Sequence, residues 1–334
     1  MCPMQIINDN NTLLTVATAN LLNLALPNRS FYENRDPYKP AQYEEKCNWL
    51  GAQFARLDAD VLAVQEVWDA DALKYAVKQS GLHYSSVLVP GAENGAQGTP
   101  RVGLVTRLPV KQVHSIDLFD ERDIVQVPEL GPHTRFERPV LHVQLALKPD
   151  VTLHVLVVHL KSKRPKFLQD DAGDPLENRD DPHVAARGIL RSLVMRASEA
   201  AALRSVVVRL LNDTQEPLIM MGDLNDVPQA VTSQMVAATQ TIAFDRSARD
   251  TALFNAYEVQ SQGGLLRDVA YSFVHQGRPD TLDQIWVSEE LVSTARFARG
   301  EVRRVDYFND HLHEGRDDTR SDHGFVRAML RWRG

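Results

Sequence analysis

Met221-Gly222-Asp223-Leu224-Asn225-Asp226 is a short acidic turn directly behind the apolar run Leu218-Ile219-Met220-Met221. A buried strand that delivers Asp, Asn and Asp into a Gly-opened turn sets hard oxygen atoms at the edge of a sheet. Hard oxygens suit Mg²⁺ or Mn²⁺, with Ca²⁺ a further candidate, and phosphate chemistry is what such ions usually serve. In isolation the same residues are ordinary turn formers. The pattern recurs, however. Asn20 follows LTVATA, Glu66 ends VLAVQE, His159 ends LHVLVVH, and Asp322-His323 stand just before GFVRAML. Apolar strands that each end in a charged or amide residue gather ligands at one sheet edge. For any one of these residues a turn cap, a solvated strand end or a satisfied histidine is the plainer account. Five such places together strain it.

The elements that must position these residues are legible as short apolar runs bounded by turn formers. Strands are expected over 14–19, 61–67, 102–106, 140–147, 153–159, 218–221 and 284–287. Apolar residues at helical spacing predict helices over 43–57, 71–80 and 188–212, the first burying Trp49, Leu50, Phe54 and Leu57. Strands outnumber helices and many pair as hairpins or meanders. That predicts two packed sheets with helices outside, an α/β or α+β layered sandwich. Residues 161–181 pass from basic to acidic with few apolar positions and read as a long solvated, functional loop. A second polar loop, 306–320, precedes the last strand. No Pro/Gly/Ser-rich linker divides the chain, so a single domain over 1–334 is expected.

Composition bounds the function. With 43% hydrophobic and 24% charged residues, the chain reads as an ordinary globular protein. No apolar run approaches membrane-spanning length, so no membrane association is expected. The N-terminus lacks the basic start and apolar core of a secretory signal. Of the two cysteines, Cys2 is beside the chain end and Cys47 lies within a helical pattern. A structural disulfide is therefore not expected, and a reducing, cytoplasmic compartment fits. The net charge of −7 counts against a protein that lives on non-specific duplex binding. It leaves phosphate substrates open, because a divalent ion adds local positive charge. Nothing points to a protein partner, and a monomer is expected.

The ordered set Ala19-Asn20-Leu21, Gln65-Glu66-Val67, His159-Leu160-Lys161-Ser162, Gly222-Asp223-Leu224-Asn225, Leu282-Asp283-Gln284-Ile285 and Ser321-Asp322-His323 resembles the endonuclease/exonuclease/phosphatase superfamily, the DNase I-like fold. The likeness spans nearly the whole chain and is nearest to bacterial nuclease-like members. It implies an α/β, four-layered sandwich of two packed, mainly antiparallel β-sheets flanked by helices, with the site at one edge. It also implies Mg²⁺- or Mn²⁺-dependent cleavage of a phosphoester. By the same resemblance Glu66 is a metal-binding glutamate with Asn20 beside it, and Asp322 a second carboxylate near the ion. Asp223 and Asn225 match the pair that orients the attacking water and contacts phosphate. His323 looks like the catalytic histidine, Asp283 like the carboxylate that holds its imidazole, and His159 like the donor to the scissile phosphate. Arg196 falls where related sequences often carry an arginine. The chain departs from the pattern at Ala19, where Trp is common, and at Gly324, where Pro is common. His159 itself differs from the Asn of the apurinic-endonuclease branch. Its carboxylate partner is not evident; Glu137, within Arg135-Phe136-Glu137-Arg138, is a candidate.

Phosphodiester hydrolysis needs an in-line water, stabilisation of charge on the phosphoryl oxygens and help for the leaving oxygen. Protonated His159 and the Asn225 amide are suited to donate to non-bridging oxygens. Asp283 is suited to fix the tautomer of His323 and raise its pKa, while Asp223 accepts a proton from water. Lys161, Lys163 and Arg164 set basic charge beside His159 and, with Arg196, are the expected contacts to a phosphate backbone. The competing account is a solvated charge run, since Asp170, Asp171 and Asp174 follow closely. The expected activity is a metal-dependent nuclease, with DNA favoured as the nucleic acid substrate. The alternative is a phosphatase or phosphodiesterase acting on a small-molecule or lipid phosphoester. A catalytically inactive binding module is the least supported, because every expected chemical position is filled.

Overall fold

The computed structural model describes residues 11–32, 35–91, 99–170, 172–239, 242, 245–262, 269–315 and 317–333. Strand β1 (Asn11–Leu24) is followed by α1 (Pro40–Leu57), β2 (Val61–Val67), α2 (Ala70–Gln79), β3 (Ser86–Leu88), β4 (Arg101–Thr106) and β5 (Val110–Leu118). A small hairpin, β6 (Val125–Val127) and β7 (Gly131–His133), leads into the long pair β8 (Arg135–Lys148) and β9 (Val151–His159). Next come α3 (Pro182–Leu211), β10 (Leu218–Asp223), α4 (Val231–Ala237), β11 (Phe254–Asn255) and α5 (Ala256–Val259). A second hairpin, β12 (Phe273–His275) and β13 (Arg278–Asp280), precedes β14 (Asp283–Val287), β15 (Gly300–Phe308) and β16 (Phe325–Arg333).

Twelve of these strands form two six-stranded sheets, in the orders β15-β16-β1-β2-β4-β3 and β11-β14-β10-β9-β8-β5. The two sheets repeat one plan. Each has a single parallel pair at its centre, β1 with β2 and β9 with β10, and every other pairing is antiparallel.

Period-2 alternation in the buried strands makes the layers. Val16, Val61, Ala63, Val155, Val157, Ile219 and Met221 face one another between the sheets. Their neighbours Ala17, Leu62 and Val64 point outward onto Cys47, Leu50 and Phe54 of α1 and Leu73 of α2. Leu156, Val158, Leu218 and Met220 point the other way, onto Leu203, Val206 and Val207 of α3 and Val236 of α4. The result is the expected order of helices, sheet, sheet, helices.

Element ends follow local chemistry. Pro40 opens α1, and Asp58 closes it in the left-handed region while its N–H bonds the Phe54 carbonyl. Helix α3 begins six residues before the periodic pattern does. Asp181 caps it by accepting from His183 N–H at 2.8 Å, and Pro182 takes the first turn. Eight strands escape the sequence reading: β3, β6, β7, β11, β12 and β13, each two or three residues long, and the longer β5, which is mostly exposed, and β15, whose end occupies 306–308 of the expected polar loop. Trp49 is half-buried rather than buried, its ring packed edge-on to His311. Cys47 is a buried free thiol, and Cys2 lies outside the described residues. Among the described residues no helix is long and apolar enough to cross a membrane.

The topology dictates where the polar strand ends go. Parallel β1 and β2 deliver Asn20 and Glu66 to one edge, and parallel β9 and β10 deliver His159 opposite Asp223. Antiparallel β14 begins there with Asp283 opposite Asp223, and β16 begins just after His323.

Candidate active site

Asp223 is the centre of the cluster. Gly222 before it has φ +149°, and a Cβ there would lie 1.9 Å from the Val158 carbonyl oxygen. Only glycine lets β10 pass that close to β9 and still present Asp223. The Asp223 carboxylate accepts from the Asn225 backbone N–H at 2.8 Å through Oδ1 and from Asn20 Nδ2 at 3.2 Å through Oδ2. The same Oδ2 lies 3.5 Å from His159 Nε2 and 4.0 Å from His323 Nε2. Asn225, in the left-handed region at φ +53°, donates one amide hydrogen to the Leu160 carbonyl at 2.9 Å.

His323 is held from three sides. Its Nδ1 is 2.7 Å from Asp283 Oδ2, which fixes the Nδ1–H tautomer and turns Nε2 toward Asp223. Ser321 Oγ accepts from His323 N–H at 3.0 Å and donates to the Asn20 carbonyl at 2.7 Å. His311 Nε2 donates to the His323 carbonyl at 2.8 Å. Ser272 Oγ accepts from the backbone N–H of both Leu282 and Asp283, locking the start of β14.

Glu66 breaks the alternation of β2. It adopts φ +62°, the pairing with β4 slips between Val64 and Val67, and its carboxylate accepts from Asn20 Nδ2 (3.3 Å) and Asn23 N–H (3.0 Å). Asp322 lines the same cleft as Glu66. Glu66 and Asp322 offer carboxylate oxygens, which fit a hard divalent ion. Asn20, expected as a ligand beside them, instead turns Nδ2 to Glu66 and Asp223 while its Oδ1 accepts from Leu22 N–H at 3.1 Å, so it positions the carboxylates. Asp223, Asp283 and His323 also offer ligand atoms within 4.8 Å of one another. In that group His323 Nδ1 and Asp283 Oδ2 are taken by their mutual hydrogen bond, and an imidazole is a softer donor than a carboxylate, so the carboxylates of Glu66 and Asp322 suit a hard ion better.

The charges are set by burial and neighbours. Burial pulls the His323 imidazole down, but the Asp283 carboxylate, followed by Asp223 and Asp322, outweighs it and holds the ring well above the ordinary histidine range. Burial raises Asp223 to about 6, against the pull of His323. His159 goes the other way: burial first, then Arg138 and His323, lower it well below its usual value. His159 is therefore neutral at neutral pH, not protonated as its role suggested. Its Nδ1 has no hydrogen-bond partner among the described residues. Glu137 does not supply one; the carboxylate beside the ring is Asp223, 3.5 Å from Nε2.

A cleft of about 690 Å³ opens over this cluster, lined by Glu66, His159, Asp223, Asn225, Asp322 and His323. Arg35, Arg138, Lys163 and Arg164 add positive charge to its walls, and Tyr32, Phe273 and His275 add rings. Asn20 and Asp283 stand behind this lining, bonded to residues that form it. Two expected substrate contacts do not line the cleft. Lys161 is 6% exposed and its Nζ turns back to Ser162 Oγ and carbonyl. Arg196 is 5% exposed and spends its guanidinium on Asp226 and the Lys161 carbonyl. Both secure the turn beneath the cleft instead. Arg35 and Arg138 are the cleft cations that sequence reasoning missed. Arg138 reaches from β8 to the Leu160 carbonyl (3.4 Å), and its buried Nε has no partner among the described residues.

The model of the endonuclease/exonuclease/phosphatase family matches residues 18–323. No curated protein matches the chain. Among solved structures, TDP2 from C. elegans superposes with a TM-score of 0.57 at 13% identity, covering 95% of this chain and 75% of that one. A humanized D. rerio TDP2 gives 0.55 at 14% identity, covering 95% and 98%. A family protein from Bacteroides thetaiotaomicron gives 0.55 at 15% identity, covering 96% of each chain. At these identities the likeness is one of fold, and the fold is DNase I-like.

Proposed function

The chain belongs to the endonuclease/exonuclease/phosphatase family, and from that premise we propose that it is a divalent-metal-dependent phosphodiesterase that cleaves DNA. One observation carries the reading: the hydrogen-bonded Asp283–His323 pair faces Asp223 at the floor of a cleft walled by four cationic side chains. A phosphodiester entering the cleft is neutralised by Arg138, Lys163, Arg164 and Arg35. Asp223, ionised above about pH 6, accepts the proton of the attacking water. His323, kept protonated by Asp283, supplies positive charge and a proton toward the departing oxygen. Neutral His159 and the second amide hydrogen of Asn225 donate to the non-bridging oxygens. Glu66 and Asp322 would hold Mg²⁺ or Mn²⁺, with the Asn20 amide orienting Glu66 through Nδ2; the ion would supply Lewis-acid charge for the phosphoryl group.

A second reading, a phosphatase or phosphodiesterase for small phosphoesters, is favoured by the net charge of −7 and by the bounded cleft. One experiment separates them. Protein with Mg²⁺ or Mn²⁺ is given plasmid, single-stranded DNA and RNA, and in parallel a set of phosphate monoesters with release of inorganic phosphate measured. Cleavage of DNA, lost with chelator and in His323→Ala, supports the nuclease. Intact polymers with phosphate released from monoesters support the second reading. Silence in both assays returns the chain to a binding role.

A further inference from the structure

We propose that Glu199 is a positioning residue for the reaction, a buried carboxylate that sets Arg138 and the Asn225 amide on the phosphate through one peptide plane. The proposal rests on the phosphate contacts assigned to those two side chains above. Glu199 lies on the inner face of α3 and is completely buried. Its Oε1 accepts from the Glu137 N–H at 2.8 Å and its Oε2 from the Lys161 N–H at 2.6 Å. The two donors come from different segments, at the place where β8 and β9 part. The register of β8 with β9 ends at Leu141 opposite Val157, and Glu137 and Lys161 each stand four residues past that pair. A buried backbone N–H needs a partner, and a carboxylate is a stronger acceptor than a neutral carbonyl. Glu199 bridges the two segments with one side chain.

The Lys161 N–H and the Leu160 carbonyl belong to the same planar peptide unit, so holding one aims the other. That carbonyl accepts from Arg138 Nη1 at 3.4 Å and from Asn225 Nδ2 at 2.9 Å. Arg138 is thus held at both ends. Its backbone follows the Glu137 N–H bound by Glu199, and its guanidinium rests on the peptide that Glu199 orients. Asn225 spends one amide hydrogen on the same carbonyl, which turns the other toward the cleft. The preceding peptide is pinned as well, since Leu160 N–H donates to the Asp223 carbonyl at 3.0 Å. The outer cations are tied to α3 separately: Ser192 Oγ lies 2.8 Å from the Ser162 carbonyl and 2.7 Å from that of Arg164. Loss of Glu199 therefore disturbs the deep phosphate contacts and spares the outer ones.

Steady-state kinetics with Mg²⁺ or Mn²⁺, on whichever phosphoester wild type cleaves, test this alongside the urea midpoint. In Glu199→Gln one oxygen becomes an NH₂ that faces a backbone N–H, so one of the two bonds is lost. We expect kcat to fall at least about tenfold while KM stays within about threefold. Glu199→Asp keeps the charge but is too short to span both N–H groups, and carries the same expectation should Glu199→Gln not fold. Unchanged kcat in a folded variant, whatever its midpoint or KM, would overturn the proposal and leave Glu199 a structural residue only. In Glu199→Gln combined with Arg138→Met, the loss in kcat should fall short of the product of the single losses by about threefold or more. A full product would also overturn the proposal. Arg138→Met alone separates the two claims. If it turns over as wild type does, the phosphate contact has failed and this proposal falls with it; if it is slow while Glu199→Gln is not, this proposal alone fails. Wild type silent on every substrate would remove the proposed reaction and this role together.

Discussion

A carboxylate 2.7 Å from an imidazole nitrogen decides what His323 can do. Asp283 accepts from Nδ1–H, so Nε2 is the atom left to exchange a proton with the cleft. Asp283→Asn keeps the shape but offers an amide that can donate to Nδ1, which favours the wrong tautomer and removes the charge that keeps the ring protonated. We expect kcat to fall by about 10²- to 10⁴-fold with an unchanged circular dichroism spectrum. A loss below tenfold would mean that His323 is not the proton carrier. At this scale residue type and strand-end position made Asn20, Glu66, His159, Asp223 and His323 legible, because each stands at the end of an apolar run, whereas Asp283 was legible only through the family resemblance. Charge state was not legible. His159 is neutral because of its burial and Arg138, and Arg138 arrives from β8, far from any motif. Lys161 and Arg196 misled for the converse reason: sequence adjacency to a site says nothing about which way a long cationic side chain turns.

Strand geometry carries the next level of control. The parallel pair β9–β10 closes so tightly at Gly222 that any side chain there must displace the Val158 carbonyl. Gly222→Ala is therefore expected to cost several kcal/mol, on the order of 3 or more, and to move Asp223; the readout is the denaturant midpoint alongside activity. On the outer face of the same sheet His142 Nε2 and His154 Nδ1 are 2.9 Å apart, and His154 Nε2 is 2.8 Å from Glu216. Burial, then His154 and His114, lowers His142 to about 4. The unfolded chain takes up a proton near 6.5 and the folded one only near 4, so stability is full above about pH 6.5 and declines as pH falls toward 4. Discounted for partial solvent access, the loss is about 2 kcal/mol, and His142→Gln should flatten urea midpoints measured from pH 7 to 4. Buried strands announced themselves as continuous apolar runs bounded by turn formers, because both of their faces are covered. Edge strands such as β5 did not, because both of their faces meet water and their residues need no pattern.

At the scale of the whole molecule, charge is distributed against its own sum. The chain is acidic, yet its cleft gathers Arg35, Arg138, Lys163 and Arg164. Composition could not disclose that, since the sheet order that brings β8, the 161–181 loop and the end of β1 to one rim is a tertiary fact. What the ordered motifs did disclose was convergence, polar strand ends far apart in the chain gathered at one sheet edge; the central parallel pair of each sheet, which does the gathering, was not legible. The cations divide by depth. Arg138 is part-buried beside His159, whereas Lys163, half-exposed, reaches outward and pairs with Asp226 at 3.3 Å. If the substrate is a polymer, the outer cations contact phosphates beyond the scissile one. Lys163→Glu with Arg164→Glu should then raise KM for oligonucleotide DNA about tenfold or more and lower its salt slope by roughly one unit per cation removed. KM for a small aryl phosphodiester should stay nearly unchanged. Equal increases for both substrates would place these side chains on the reacting phosphate itself and favour a small phosphoester over a nucleic acid.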